Sequence, residues 1–245
     1  MNGKLKRILC VLLALILLLT LASCGDKKKA GGRKAEVTRV PTTPKPPRKT
    51  LVFGSYEQDG DSANGAEPIE WIILEEREDG SVVLLSKYAL DCLPYNPELT
   101  PVAWKTCRIR AWLNEDFFKT AFDAQEQEKL LVTTVQNEET PHYMVIGEYQ
   151  TEDRVWLLSV DEADVLYGED AVMKCVPTQY ALARGAKQST EYDLNGEGSC
   201  WWWLRSTGDD ANRAAYVNDF AEVGIFGNSV NYDHYTVRPV VRILP

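Results

Sequence analysis

The last 46 residues constrain the fold more than any other stretch of the chain. Cys200-Trp-Trp-Trp-Leu-Arg-Ser206 is followed by Ala214-Ala-Tyr-Val217, Glu222-Val-Gly-Ile-Phe226, Ser229-Val-Asn231 and Thr236-Val-Arg-Pro-Val-Val-Arg-Ile-Leu244, with Gly, Asn or Asp between successive segments. Apolar segments this short, punctuated every seven to ten residues by turn formers, predict an antiparallel sheet. Side chains alternate along a strand, so Trp202 is expected to face away from Trp201 and Trp203. One side then belongs to the core and the other offers a stacking platform, with at least two of the three rings packed inside.

Upstream, Leu51–Tyr56, Pro68–Glu76 and Ser81–Ser86 read as three strands of a meander, with Gly80 turning the chain into the third. Arg108–Trp112 with Phe117, Phe118 and Ala121 carry apolar residues at helical spacing. Asp123-Ala-Gln-Glu126 and Ser159-Val-Asp-Glu162 have the form of capping boxes. Arg154–Ser159 is expected as a further strand, and Thr178–Ala183, ending at Gly185, as a further helix. Strands, then helices, then strands again define an α+β chain with antiparallel sheets and a few short packed helices, not a parallel βαβ sheet. Between the first two strands, Asp59-Gly-Asp-Ser-Ala-Asn-Gly65 only partly resembles a calcium loop. Ala63 stands where an oxygen ligand is required, so a solvated turn and no metal are expected.

The N-terminal fifty residues obey different physics. Lys4, Lys6 and Arg7 precede an apolar run from Ile8 to Leu19, too short for a spanning helix of about 20 residues and suited to the hydrophobic region of a cleaved signal. The signal is expected to cover residues 1–23 and to end at Leu21-Ala22-Ser23-Cys24, with Cys24 the lipidation site and Cys10 discarded. Residues 26–50 hold nine basic and two acidic residues, a net of +7, in Lys-, Gly- and Pro-rich text with little to bury. Residues 24–50 are therefore expected to be a lipidated, disordered tether, spanning about 25–30 Å as a coil and about 80 Å as polyproline II. Its charge would hug an anionic lipid surface. From Leu51 to Pro245 the balance reverses to 15 Lys+Arg against 34 Asp+Glu, a net of −19, with all seven Trp. That charge repels nucleic acid and phosphate-rich ligands, and 195 residues suffice for one globular domain.

The ordered set Phe53-Gly-Ser-Tyr56, Pro68-Ile-Glu-Trp71, Leu84-Leu-Ser86, Arg110-Ala-Trp-Leu-Asn114, Trp156-Leu-Leu-Ser159, Trp202-Trp-Leu-Arg-Ser206 and Val237-Arg-Pro239 resembles a bacterial family known only as a domain of unknown function. Members of that family are often exported or lipid-anchored, and the resemblance spans nearly all of Leu51–Leu244. The Trp-Leu-Arg-Ser and Val-Arg-Pro elements are also similar to the C-terminal part of C-type lectin-like folds. That group includes formylglycine-generating enzymes and the variable ligand-binding proteins of diversity-generating retroelements. This wider likeness implies a fold and licenses no activity. The chain departs from the family pattern at Ala221 and Thr236, where glycine is usual. Positive φ at either would be strained.

Arg205 and Arg238 lie in strongly apolar strands, so each needs a carboxylate or carbonyl partner and is expected, with Trp202, to be structural. The expected ligand-binding surface is Asn218, Asp219, Phe220, Phe226, Asn228, Asn231, Tyr232, Asp233, His234 and Tyr235, where rings mix with amides and carboxylates. Turn formation alone accounts for the Asn, Asp and Gly but less well for the aromatic residues. For catalysis, His142 and His234 are the only histidines, and neither pairs with a nucleophile in a motif. Cys92, Cys107, Cys175 and Cys200 are expected as buried thiols with room for one bridge. The expected protein is thus a membrane-anchored, extracytoplasmic lipoprotein. It would present a non-catalytic domain to a sugar, peptide or protein ligand, without cofactor or nucleic acid. The alternatives are an oxidoreductase of the formylglycine-generating type, which needs a cysteine pair in an open cleft, and an adhesive surface protein without a concave site.

Overall fold

The computed structural model describes residues 47–137, 150–194 and 197–245. Residues 1–46, with Cys10, Cys24 and the expected signal and most of the expected tether, lie outside the described residues, as does His142. Among the described residues no helix is long and apolar enough to cross a membrane.

The protein is a mixed α+β structure. Fourteen strands are described: β1 Thr50–Tyr56, β2 Glu67–Glu76, β3 Val82–Ser86, β4 Asp91–Cys92, β5 Thr133–Gln136, β6 Gln150–Asp153, β7 Val155–Trp156, β8 Gln188–Leu194, β9 Glu197–Cys200, β10 Trp202–Thr207, β11 Arg213–Val217, β12 Val223–Ser229, β13 Thr236–Val237 and β14 Val240–Ile243. The short helices are α1 Arg108–Trp112, which runs through a π-helical turn into α2 Phe118–Ala121, then α3 Ala124–Lys129, α4 Val160–Asp164, α5 Asp170–Met173 and α6 Gln179–Ala183. Two five-stranded sheets, ordered β1-β2-β3-β14-β7 and β12-β11-β10-β13-β4, share one hydrophobic core, and two small hairpins pair β5 with β6 and β8 with β9. Among the described strands all pairings are antiparallel except β10 with β13.

Local chemistry explains much of this. Asp123 and Ser159 each accept from the backbone of a residue three positions on, and Glu126 and Glu162 return the bond, so α3 and α4 begin in full capping boxes. Thr178 caps α6 through its side chain. Arg48 and Thr50, which composition places in the tether, are engaged by the fold: Thr50 opens β1, and the Arg48 guanidinium binds Glu169 at 2.7 Å and Leu74 O at 2.8 Å.

Several boundaries differ from the sequence expectation. The segment Thr236–Leu244 is not one strand: Pro239 cannot donate a ladder bond, and the chain leaves one sheet after Val237 and enters the other at Val240. Lys87–Leu90 makes the reverse crossing beside it, with Ser86 N–H donating to Pro239 O and Leu90 N–H to Val237 O. Ser229 closes β12 and is not the start of a separate strand, because Gly227 at φ +71 lets the ladder bend and continue. The expected strand Arg154–Ser159 is ordered as a strand only at Val155–Trp156, since Ser159 turns out of it to cap α4. Cys200–Ser206 divides at Trp201, between β9 and β10. Ala221 has φ +71, and it is the one non-glycine in the left-handed region among the described residues; Thr236 is extended and buried.

Candidate functional site

Trp202 and Trp203 are both fully buried, whereas Trp201, at the entry to β10, is half-buried. The alternation holds in space. Trp201 and Trp203 both meet Tyr235, with ring centroids 5.2 and 4.5 Å away, while Trp202 lies over the Arg238 guanidinium at 5.0 Å and donates its indole N–H to Met173 O. Trp202's side of the strand is closed, and the other opens at its edge.

At that edge Lys187, Gln188, Ser189, Trp201, Asp219, Tyr232, His234 and Tyr235 line a cavity of about 300 Å³. Trp201 is held in three ways. Its N–H donates to Asp219 Oδ1 at 2.8 Å, its far face stacks on Tyr216 at 5.5 Å and 3°, and its carbonyl accepts from both the N–H and the hydroxyl of Thr236. Tyr216 lies flat because Gly224 faces it across the β11–β12 ladder; a Cβ there would stand 2.4 Å from the ring. Tyr235 is buried, packs on Trp201, Trp203, Tyr216 and Tyr232, and accepts from Asn228 Nδ2 at 3.0 Å; burial pushes its phenol above the ordinary range. The loop carrying Tyr232 and His234 is tied down by Cys92 Sγ donating to Asp233 O and by a 2.9 Å contact of His234 Nδ1 with Gly185 O. Lys187 Nζ closes the rim, 3.3 Å from the Tyr232 hydroxyl.

Of the ten ligand-binding residues expected from sequence, Asp219, Tyr232, His234 and Tyr235 meet at this cavity. The others lie outside its lining. Asn218 folds the β11–β12 turn by accepting from Phe220 N and Glu222 N, and Asn228 is occupied by Tyr235 and Ser229 N. Phe220, Phe226, Asn231 and Asp233 are exposed. Lys187, Gln188 and Ser189 were not foreseen, because they arrive with a hairpin about 45 residues away in sequence from Tyr232 and carry no local signal. The sequence left open which side of the strand is the platform; the structure assigns it to Trp201 and adds its Tyr216 backing.

A second cavity, of about 590 Å³, is lined by Gln58, Asp59, Tyr88, Thr178, Gln179, Glu197 and the same Gln188, among others. Beside it, carboxylate oxygens of Glu57, Asp59 and Glu67 lie within 4.8 Å of one another. They organise their own loop, accepting from Gly60 N, Asn64 Nδ2 and Gln58 N respectively.

Arg205 is buried with Glu162 as its carboxylate partner and the carbonyls of Leu157 and Gln136 as further acceptors. Arg238 is fully buried and bonds Ser86 O and Val172 O. Cys92, Cys107, Cys175 and Cys200 are free and buried. Cys175 and Cys200 nonetheless stand opposite each other in an isolated antiparallel bridge. This is a closed pair, unlike the open-cleft pair an oxidoreductase of the formylglycine-generating type requires.

The scaffold is a mixed α+β fold with a Trp–Tyr cavity at the edge of its C-terminal sheet. The chain belongs to the family described as Domain of unknown function (DUF6273), which matches residues 79–245 and so includes the whole 300 Å³ cavity. Strands β1 and β2 precede that match, yet β2 pairs with β3 in the same sheet. No curated protein and no solved structure matches the chain.

Proposed function

We propose that the protein is a membrane-anchored, extracytoplasmic bacterial lipoprotein whose folded part binds a sugar, peptide or protein ligand at the Trp201–Tyr232–Tyr235 cavity without catalysing a reaction. The observation that carries the binding reading is the convergence of Asp219, Tyr232, His234 and Tyr235, from two separate loops, on one cavity with Trp201. Half-buried rings offer an apolar face to stack on, and Asp219, Gln188 and Ser189 add polar groups around it, the combination that fixes a small ligand's orientation. The finer architecture we propose is C-type lectin-like, supported by Trp202-Trp-Leu-Arg205 in the middle strand of one sheet and Val237-Arg-Pro239 at the switch between sheets. The anchor rests on Leu21-Ala22-Ser23-Cys24 after a short apolar run, and on the +7 tether that follows.

A glycan and peptidoglycan-fragment array probed with the full chain in detergent tests the binding reading. Tyr232→Ala and Trp201→Ala are expected to abolish the signal that wild type gives, and Phe226→Ala to keep it. Binding that ignores the first two changes would place the site elsewhere. The anchor is tested by mass spectrometry of the membrane-extracted chain: lipid on an N-terminal Cys24 is expected, and an unmodified Cys24 would refute it.

A further inference from the structure

Arg238 poses a charge problem that Arg205 does not. Both guanidiniums are buried, but among the described residues Arg238 has no carboxylate partner: its bonds go to two carbonyls and the Trp202 face, and Nη2 has no acceptor. Arginine keeps its charge in a protein interior, and an unbalanced buried cation costs several kcal/mol. The site therefore demands an anion. The ionisable groups that act on Arg238 are the thiols of Cys175 and Cys200.

These cysteines face each other directly, with Cys200 N–H donating to Cys175 O at 2.8 Å. Hydrogen-bonded antiparallel partners have Cα atoms about 5.5 Å apart, inside the range of about 4.4–6.8 Å that a disulfide spans. Cys200 Sγ also contacts Thr236 Oγ1 at 3.4 Å. We propose that Cys175 and Cys200 form a reversible dithiol–disulfide site, with Cys175 the attacking sulfur, Arg238 its counter-ion, and a low-molecular-weight disulfide the oxidant. Burial pushes both thiols up. At Cys175 the neighbouring Cys200 thiol and the Arg238 charge overcome that effect and hold the group below its ordinary value, while Cys200 is driven well above its own. One sulfur is the nucleophile and the other keeps its proton.

The step balances as two exchanges. The Cys175 thiolate attacks one sulfur of oxidised glutathione, breaking its S–S bond and expelling a glutathione thiolate. Cys200 then gives its proton to solvent and attacks the Cys175 sulfur, forming the protein disulfide and expelling the second glutathione. Two protein thiols lose two electrons, and one small disulfide gains them. The 590 Å³ cavity comes nearest the pair in sequence, its lining including Val176, next to Cys175, and Gly198, two residues before Cys200; both sulfurs are buried, so exchange requires a transient opening of the fold. Gly198 lets β8 and β9 approach closely, since a Cβ there would stand 1.9 Å from Ser189 O. Oxidation consumes the anion beside Arg238, so the guanidinium favours the reduced form, as any group that stabilises a thiolate does.

The test uses the full chain in a series of glutathione redox buffers, acid-quenched, alkylated in denaturant and mapped by mass spectrometry. A Cys175–Cys200 linked peptide is expected, with Cys92 and Cys107 recovered as alkylated thiols. Cys200→Ser is expected to trap glutathione on Cys175, whereas Cys175→Ser leaves Cys200 unmodified. Arg238→Met is expected to shift the dithiol–disulfide ratio at least tenfold toward the disulfide, and Arg238→Lys much less; should Arg238→Met fail to fold, the mapping of wild type and Cys200→Ser still decides. Recovery of Cys175 and Cys200 as thiols in buffers that oxidise dithiothreitol, or links through Cys92 or Cys107, would overturn the proposal.

Discussion

On one side of β10, Trp202 is sealed over Arg238, with Cys175 and Cys200 beside that guanidinium. On the other, Trp201 and Trp203 meet Tyr235, and the packing stops at a cavity of about 300 Å³. Adjacent residues of one type thus do opposite work: Trp202 completes a core, and Trp201 is braced by Tyr216 and Asp219 while remaining half-buried. The thiols divide in the same way. Cys107, bonded near Tyr95 on the Trp203 side, is pushed up to about 12 by burial, while Cys175 beside Arg238 is held below its ordinary value against the same burial. What separates the two sides is the Arg238 guanidinium, which bonds carbonyls and meets no carboxylate among the described residues.

The comparison is broken most directly by truncating each indole. Trp202→Ala is expected to cost about 3–5 kcal/mol in urea denaturation, since it opens a void in a closed core. Trp201→Ala is expected to cost about 1–2 kcal/mol, because part of its surface already meets solvent. Equal losses would erase the distinction. Next in size is Glu162→Gln, which removes the carboxylate from Arg205 and leaves it with carbonyl acceptors only, as Arg238 is. A loss of about 2 kcal/mol is expected, below the full buried-pair value because Glu162 is partly exposed. A loss below about 0.5 kcal/mol would mean that buried guanidiniums in this core need no anion.

The thiol contrast is sharpened by pH. The folded Cys107 keeps its proton after the unfolded thiol has released its own, so the native state binds more protons and stability falls as pH rises from about 9 toward about 12. By pH 10 wild type is expected to lose about 1 kcal/mol relative to Cys107→Ala, measured as parallel denaturation curves at pH 8 and 10. A pH-independent difference would contradict the burial assigned to Cys107. The smallest effect belongs to the β11–β12 turn. Ala221 sits at φ +71, so Ala221→Gly is expected to raise stability by about 0.5–1 kcal/mol while leaving Asp219 in place.

What the sequence made legible follows the range of each interaction. The capping boxes at Asp123 and Ser159, the opening meander and the alternation of Trp201–Trp203 depend on neighbours a few residues apart, and all can be read directly. A usual glycine replaced by Ala221 signalled a positive φ, while the same argument at Thr236 failed because that position is an extended strand paired with Trp202 and Cys92. The split at Pro239 was underread: continuous apolar text concealed a change of sheet. Half of the site was recoverable as aromatic loops. Lys187 and the opposition of Cys175 to Cys200 depend on where the β8–β9 hairpin lands, which no local pattern encodes.

The central claim, that the open side of β10 is a binding surface, is tested most directly by titrating the full chain with its strongest array ligand and comparing Kd across variants. The account predicts saturable binding weakened at least tenfold in Tyr232→Ala and Trp201→Ala, and changed less than twofold in Phe226→Ala. Unchanged Kd in both cavity variants, or a loss confined to Phe226→Ala, would contradict it.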